Sequence, residues 1–336
     1  MSVAPRISVE EALAIESRLE IIRPKVRTHP IPTGQEKLLG DVYLRDIVKN
    51  IKDCQKGGGS PERTLLVIGK AGTGKSFALQ HQFRQIPEFQ PRRNESNELK
   101  TPLISFEADR PCGAISLGNG ILKAMGFPYN PDERKPGRLF ETVKALLVER
   151  GVLVLHLDEA QHMFRHKTDD AVQEVQDRLK SLQQIPNWPL HIICSGVDEL
   201  SKLTGTEDEQ LGRRARVMRY ERLNFPGDKA EVAKVLTTTT ELCDLRVPTE
   251  LLEDDFLGRL VQSSKGGFGR ICSAVQQACF RAIELGRSEV TKADFSRNYQ
   301  RKYGCLPADN IFEVKNWQGI EPRFALADIT PPKKKR

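Results

Sequence analysis

The segment Gly69-Lys-Ala-Gly-Thr-Gly-Lys-Ser76 follows an apolar run, Thr64 to Ile68, and precedes a stretch with helical spacing. Strand, glycine-rich turn and helix in that order leave few folds open. The glycines let the backbone turn so that its N–H groups converge on an anion, and the following helix adds the positive end of its dipole. The pattern G-x-x-x-x-G-K-[ST] in this context reads as a phosphate cradle, with Gly69, Gly72, Thr73, Gly74, Lys75, Ser76 and Phe77 as the expected lining. Lys75 is placed to meet the outer phosphates and the Ser76 hydroxyl to bind a magnesium ion.

A second apolar run, Val152-Leu-Val-Leu-His-Leu157, ends in Asp158-Glu159. Carboxylates at the C-terminal end of a buried strand lie where open α/β sheets bind ligands. Asp158 is expected to hold Mg2+, directly or through water, and Glu159 to polarise a water against a γ-phosphate. His156, inside the run, reads as a satisfied core residue. No Asn-Lys-x-Asp guanine reader is present, so ATP is expected rather than GTP. Ser195 ends the next apolar run and either orients the lytic water or is a plain turn residue. Leu-Gly-Arg213-Arg214-Ala-Arg216 precedes the last strand, where an arginine of one subunit can stabilise phosphoryl charge in its neighbour; a solvated basic helix end is the alternative. Gly266-Gly-Phe-Gly-Arg270 opens a later helix, and Arg270 either folds onto the nucleotide or belongs to a simple glycine turn.

Strands are predicted at Thr64–Ile68, Leu103–Glu107, Val152–Leu157, Leu190–Cys194 and roughly 217–223, each separated from the next by helical stretches. Such strands cannot pair as hairpins, so the fold class is α/β: a five-stranded parallel sheet covered by helices, then a small all-helical lid domain. The expected boundaries are an N-terminal helix and extended arm over 1–34, with the helix ending at Pro24, a nucleotide-binding domain over 35–226, a helical lid over 227–302 and a flexible basic tail over 303–336.

The formal net charge of +7 favours polyanionic partners, nucleic acid being the commonest. Seven scattered cysteines without a Cys-x-x-Cys pair indicate neither a zinc site nor a disulfide framework. No apolar stretch approaches the roughly 18 residues of a membrane span, and Glu10 and Glu11 interrupt any signal peptide, so no membrane partner and a cytoplasmic location are expected.

Taken together, the P-loop, Asp158-Glu159, Ser195, the paired arginines and a helical lid resemble the AAA+ ATPases. Within them the chain is most similar to the TniB/TnsC-type transposition regulators, which are also similar to MuB. The residues that carry the likeness are His29-Pro-Ile-Pro-Thr-Gly34, Leu-Asp158-Glu159-Ala-Gln161-His162, Cys-Ser195-Gly196, Leu-Gly-Arg213-Arg214 and Val290-Thr291-Lys-Ala-Asp294-Phe295. The family's turn after strand four often reads Gly-Thr, whereas here it is Ser195-Gly196. The resemblance implies a slow ATPase that self-associates as a ring or helical filament on double-stranded DNA. It also implies partnership with a transposase and a target-selector protein of the TniQ/TnsD type, and disassembly on hydrolysis. Under it, Lys100 and Lys123 are expected DNA contacts, ordinary exposed lysines being the alternative. The rival readings are a replication initiator or helicase loader, which should carry a winged helix after the lid, and an ATP-gated scaffold with incidental turnover.

Overall fold

The computed structural model describes residues 8–128, 135–165, 168–203 and 215–323. Arg213 and Arg214 lie outside the described residues. Two compact units divide the chain, one formed by 32–221 and the other by 1–31 together with 222–336.

In the first unit the strands, in chain order, are β1 (Thr64–Ile68), β2 (Arg92–Arg93), β3 (Leu99–Lys100), β4 (Leu103–Glu107), β5 (Val154–Asp158), β6 (His191–Gly196) and β7 (Ala215–Arg219). β2 and β3 form a separate antiparallel pair, and the other five form one parallel sheet in the order β4-β5-β6-β1-β7. Because every strand of that sheet runs the same way, the residues after β1, β5 and β6 gather at one edge. β6 continues through Ser195 and Gly196, farther than its apolar run suggests, and the Gly69 N–H just past β1 donates to Gly196 O at 3.0 Å. β7 begins and ends earlier than expected: its partner β1 stops at Ile68, and the Tyr220 N–H makes a last bond to Ile68 O at 2.7 Å.

Alternation along the buried strands divides the core in two. Leu65, Val67, Val154, Ile193 and Met218 face the π-helical stretch Leu39–Leu44 that follows α2 (Gly34–Leu38), then α3 (Arg45–Gln55) and α4 (Lys75–Gln85). Leu66, Ile68, Leu155, Leu157 and Ile192 face α5 (Ala114–Ala124), α6 (Pro136–Glu149) and α7 (Asp169–Gln183). Both faces are therefore covered, as near-continuous apolar strands require.

The second unit contains α1 (Val9–Thr28), α8 (Lys229–Leu242), α9 (Asp254–Ser263), α10 (Phe268–Glu284) and α11 (Lys292–Tyr303). A capping box between Ser8 and Glu11 starts α1, but the helix does not stop at Pro24. An interior proline costs about 3 kcal/mol. Burial of Leu19, Ile22 and Val26, at roughly 1.5–3 kcal/mol per side chain, more than offsets it. Arg18 donates to Cys243 O at 2.8 Å and Gln276 donates to Val26 O at 3.3 Å, fixing α1 on the helices that follow in the chain.

The expectation of a flexible tail from Tyr303 is corrected over 307–320. Ile311, Phe312 and Trp317 are buried in the helical core, and Arg259 donates to Ile311 O at 2.5 Å and Val314 O at 2.7 Å. The Trp317 indole N–H donates to Asp255 at 2.9 Å. Pro307 sits instead in an irregular segment whose apolar residues serve as core. Among the described residues, no helix is long and apolar enough to cross a membrane.

Candidate nucleotide site

The loop after β1 turns on Gly72 and Gly74, whose φ values of 85° and 97° lie where only glycine is unstrained. Gly74 is the N-cap of α4 and offers no side chain to the first turn, so that turn's N–H groups keep their capacity for an anion. Thr73 is buried, and its hydroxyl donates to Lys70 O at 2.9 Å, closing the loop.

Lys75 is buried, and its ammonium donates to Gly69 O at 2.7 Å and Lys70 O at 3.3 Å. Burial holds its pKa below the usual lysine value, against the opposing pull of Asp158, Glu159 and Asp198. A charge kept in that position fits a strongly anionic ligand. Phe77 is exposed on α4 with its ring stacked on His81 at 6.4 Å. His81 Nδ1 lies 2.5 Å from the buried carboxylate of Glu36, to which Gln82 also donates at 3.1 Å.

Asp158 ends β5. Burial raises its carboxyl pKa, but hydrogen bonds from Ser195 and Ser76, the electrostatic influence of the neighbouring His156 and the Glu159 N–H together hold it below the usual carboxylate value. Ser76 and Asp158 thus converge as one hydroxyl and one carboxylate. That donor set fits Mg2+, which keeps most of its shell as water and phosphate oxygen and needs no protein cage. Among the described residues there is no group of three or more His, Cys, Asp and Glu side chains able to hold a metal.

Glu159 has φ 51°, an uncommon value for a non-glycine residue. Its N–H donates to Asp158 Oδ1 at 2.9 Å. Gln161, 1% exposed, donates from Nε2 to Glu159 Oε2 at 2.5 Å and accepts the Val197 N–H on Oε1 at 3.2 Å. A Cβ at position 196 would lie 2.3 Å from Gln161 Oε1, so Gly196 makes this bridge possible. Arg110 donates to His162 Nε2 at 2.5 Å and lies 3.9 Å from Glu159 Oε2.

Ser195, read as either a water-orienting or a plain turn residue, is buried and donates its proton to Asp158 Oδ1 at 2.6 Å. Arg270 lies in the helical unit, in the first turn of α10. Lys100 is half-buried, and its ammonium is engaged by Glu149 O at 2.8 Å and Glu98 at 2.9 Å. Lys123 is exposed on α5 and borders a cavity of about 940 Å³ at the edge of β4, shared with Glu107, Asp109 and Glu174. The spacing of residues did not reveal Gln161 or Arg110, although Gln161 sits in the quoted Asp-Glu-Ala-Gln run.

Two buried histidines make the first unit acid-sensitive. Burial lowers the pKa of His156 to about 4, against the pull of Asp158, and that of His191 likewise to about 4. His191 donates from Nδ1 to Pro189 O and accepts from Asn50, a pairing suited to the neutral ring. An unfolded histidine titrates near 6.5, so above that pH both states are neutral and the full stability is present. As pH falls from about 6.5 toward 4, only the unfolded chain takes up these protons and stability is lost. Denaturant unfolding at pH 7 and pH 5 is expected to differ by roughly 2 kcal/mol per ring. Equal midpoints and slopes at the two pH values would contradict burial of the neutral rings.

The same arrangement of chain and sheet occurs in solved structures. Cdc6p from Pyrobaculum aerophilum matches with a TM-score of 0.55 at 12% identity, over 87% of this chain and 76% of that one. The ORC2 protein of Aeropyrum pernix, in ADPNP-ADP complexes, matches with a TM-score of 0.56 at 14% identity, over 84% of this chain and 74% of that one. The fold is that of the P-loop AAA+ ATPases, with a five-stranded parallel sheet and a helical region after it. A family profile described as "Bacterial TniB protein" matches residues 35–224, more than half of the chain, and the chain belongs to that family. The sequence finds no significant match among curated proteins.

Proposed function

We propose that this chain is an ATP-dependent regulator of DNA transposition. With ATP and Mg2+ bound it self-associates on double-stranded target DNA as a ring or helical filament and links a target-selector protein of the TniQ/TnsD type to the transposase. Hydrolysis releases it. What carries this reading is membership of the TniB family in a chain that keeps a complete P-loop and the Asp158-Glu159 pair at the same sheet edge.

In this reading the N–H groups from Gly72 to Ser76 cradle the phosphates, and Lys75 exchanges its carbonyl partners for phosphate oxygens. Ser76 and Asp158 hold Mg2+, which supplies neutralisation of phosphate charge. Glu159 accepts the proton of the attacking water, with Gln161 fixing the direction of its carboxylate. Asp158, already supplied with hydrogen-bond donors, stays ionised and is a poor proton acceptor. The two neighbouring acids therefore divide the work of metal ligand and base. Cationic side chains meet the DNA phosphates without reading bases, Lys123 more readily than Lys100, whose ammonium must first leave Glu98 and Glu149.

Electron microscopy of the purified chain with duplex DNA tests the proposal. A non-hydrolysable ATP analogue is expected to give rings or filaments, and omission of nucleotide to give none. A contact to six or more phosphates would lower DNA affinity by about 10³-fold between 50 and 200 mM salt. Particles that stay monomeric whatever the nucleotide would remove the transposition reading and leave ATP binding standing.

A further inference from the structure

His156 enters no step above, yet it lies at the centre of a chain of hydrogen bonds that ends on Asp158. Ser105 on β4 lies across from His156 on β5 in the sheet register, and their side chains meet at 2.8 Å through Nδ1. Nε2 of the same ring lies 2.9 Å from the Ser195 hydroxyl on β6, which in turn lies 2.6 Å from Asp158 Oδ1. The His156 ring is fully buried, packed roughly edge-to-face with the Phe83 ring at 5.1 Å between ring centres.

Counting protons fixes the direction of every bond. An ionised carboxylate only accepts, so the single Ser195 hydroxyl proton goes to Asp158. Ser195 must then accept from His156, which places the ring proton on Nε2. A neutral imidazole has no second proton, so Nδ1 accepts from Ser105. All the bonds point the same way, from the sheet edge toward Asp158. At that end Oδ1 already receives two donors, the Ser195 hydroxyl and the Glu159 N–H, so Oδ2 is the less crowded oxygen to meet a metal beside the Ser76 hydroxyl, which also bonds this carboxylate.

We infer that His156 is a positioning residue for the metal-binding carboxylate: by holding Ser195 as a donor to Oδ1, it sets the rotation of Asp158 and commits it to one-oxygen coordination of Mg2+. The inference rests on the proposal that Asp158 binds Mg2+ alongside ATP. An unoriented carboxylate can turn or offer both oxygens. The outer partners of metal ligands are commonly worth 10–100-fold in metal affinity.

The test compares His156→Leu, which fills similar space without hydrogen bonding, with His156→Gln, whose amide donates at one atom and accepts at the other as this tautomer does. Binding of a fluorescent ATP analogue is titrated with Mg2+ and also measured in EDTA, and Mn2+ bound in the presence of ATP is followed by EPR. His156→Leu is expected to need about tenfold more Mg2+ for half-maximal enhancement and to alter the Mn2+ spectrum, with affinity in EDTA unchanged. His156→Gln should stay within about threefold of the parent, and Ser195→Ala should behave as His156→Leu. An unchanged Mg2+ requirement in both His156→Leu and Ser195→Ala would overturn the inference alone. Equal losses with and without Mg2+ would also overturn it, by reducing His156 to a packing residue. A parent protein whose nucleotide affinity ignores Mg2+ would overturn the metal-site reading itself, and this inference with it.

Discussion

Glu159→Gln is expected to lower ATP turnover by about 10²–10⁴-fold, the usual contribution of a positioned general base. The substitution removes the basic oxygen while keeping size and shape. Its new amide oxygen can still accept from Gln161 Nε2, and the Glu159 backbone keeps its bond to Asp158 Oδ1. Binding of Mg2+ and ATP should therefore survive, and assembly on DNA with it. What changes is the way back. If hydrolysis times release, the variant stays on duplex DNA long after the parent has left, which phosphate release and fluorescence of labelled DNA measure in parallel. A variant that comes off DNA at the parental rate despite slow turnover would show that hydrolysis is not the timer and would favour the scaffold reading.

The parts of this site that were legible in the sequence are those packed into contiguous residues. Gly69 to Ser76 and Asp158-Glu159 are local patterns, and the apolar runs around them are long enough to read as buried strands. The parts that stayed hidden depend on sheet order. Ser105 and His156 are 51 residues apart in sequence, and His156 and Ser195 are 39 apart, so nothing local joins them. Only the adjacency of β4, β5 and β6 makes a chain of them. A histidine in a run of Val and Leu is well explained as a satisfied core residue, and it is satisfied; what the sequence cannot show is that its partner is the hydroxyl bonded to Asp158. α1 and the 307–320 segment fail local rules for the same reason. Pro24 should end a helix and prolines should mark a loose tail, but burial of Val26, Ile311, Phe312 and Trp317 outweighs the local preference.

Replacing both Arg213 and Arg214 by Ala is expected to cut turnover by about 10³-fold or more, the effect of removing an arginine that stabilises the transferring phosphoryl group. In the proposed function such an arginine serves the nucleotide of a neighbouring subunit. Arg214 is bonded to Ala215, the first residue of β7, which pairs with Thr64 at the start of β1. The P-loop begins after Ile68, at the other end of the same strand pair, and a strand of five residues spans roughly 16 Å. Ala215 thus starts β7 at the end of the sheet away from the chain's own phosphate loop, and the proposed role of the two arginines is in a neighbouring subunit. Mixing separates the cases. A Lys75→Ala protein keeps its arginines but has a disabled cradle, and the arginine double variant has the reverse defects. In equal mixture about a quarter of head-to-tail interfaces would join an intact cradle to intact arginines, and turnover should rise well above that of either protein alone. Flat activity at every mixing ratio, in assemblies seen by microscopy to form, would rule out service across the subunit boundary, and an undiminished rate in the double variant alone would leave the arginines as part of a basic surface.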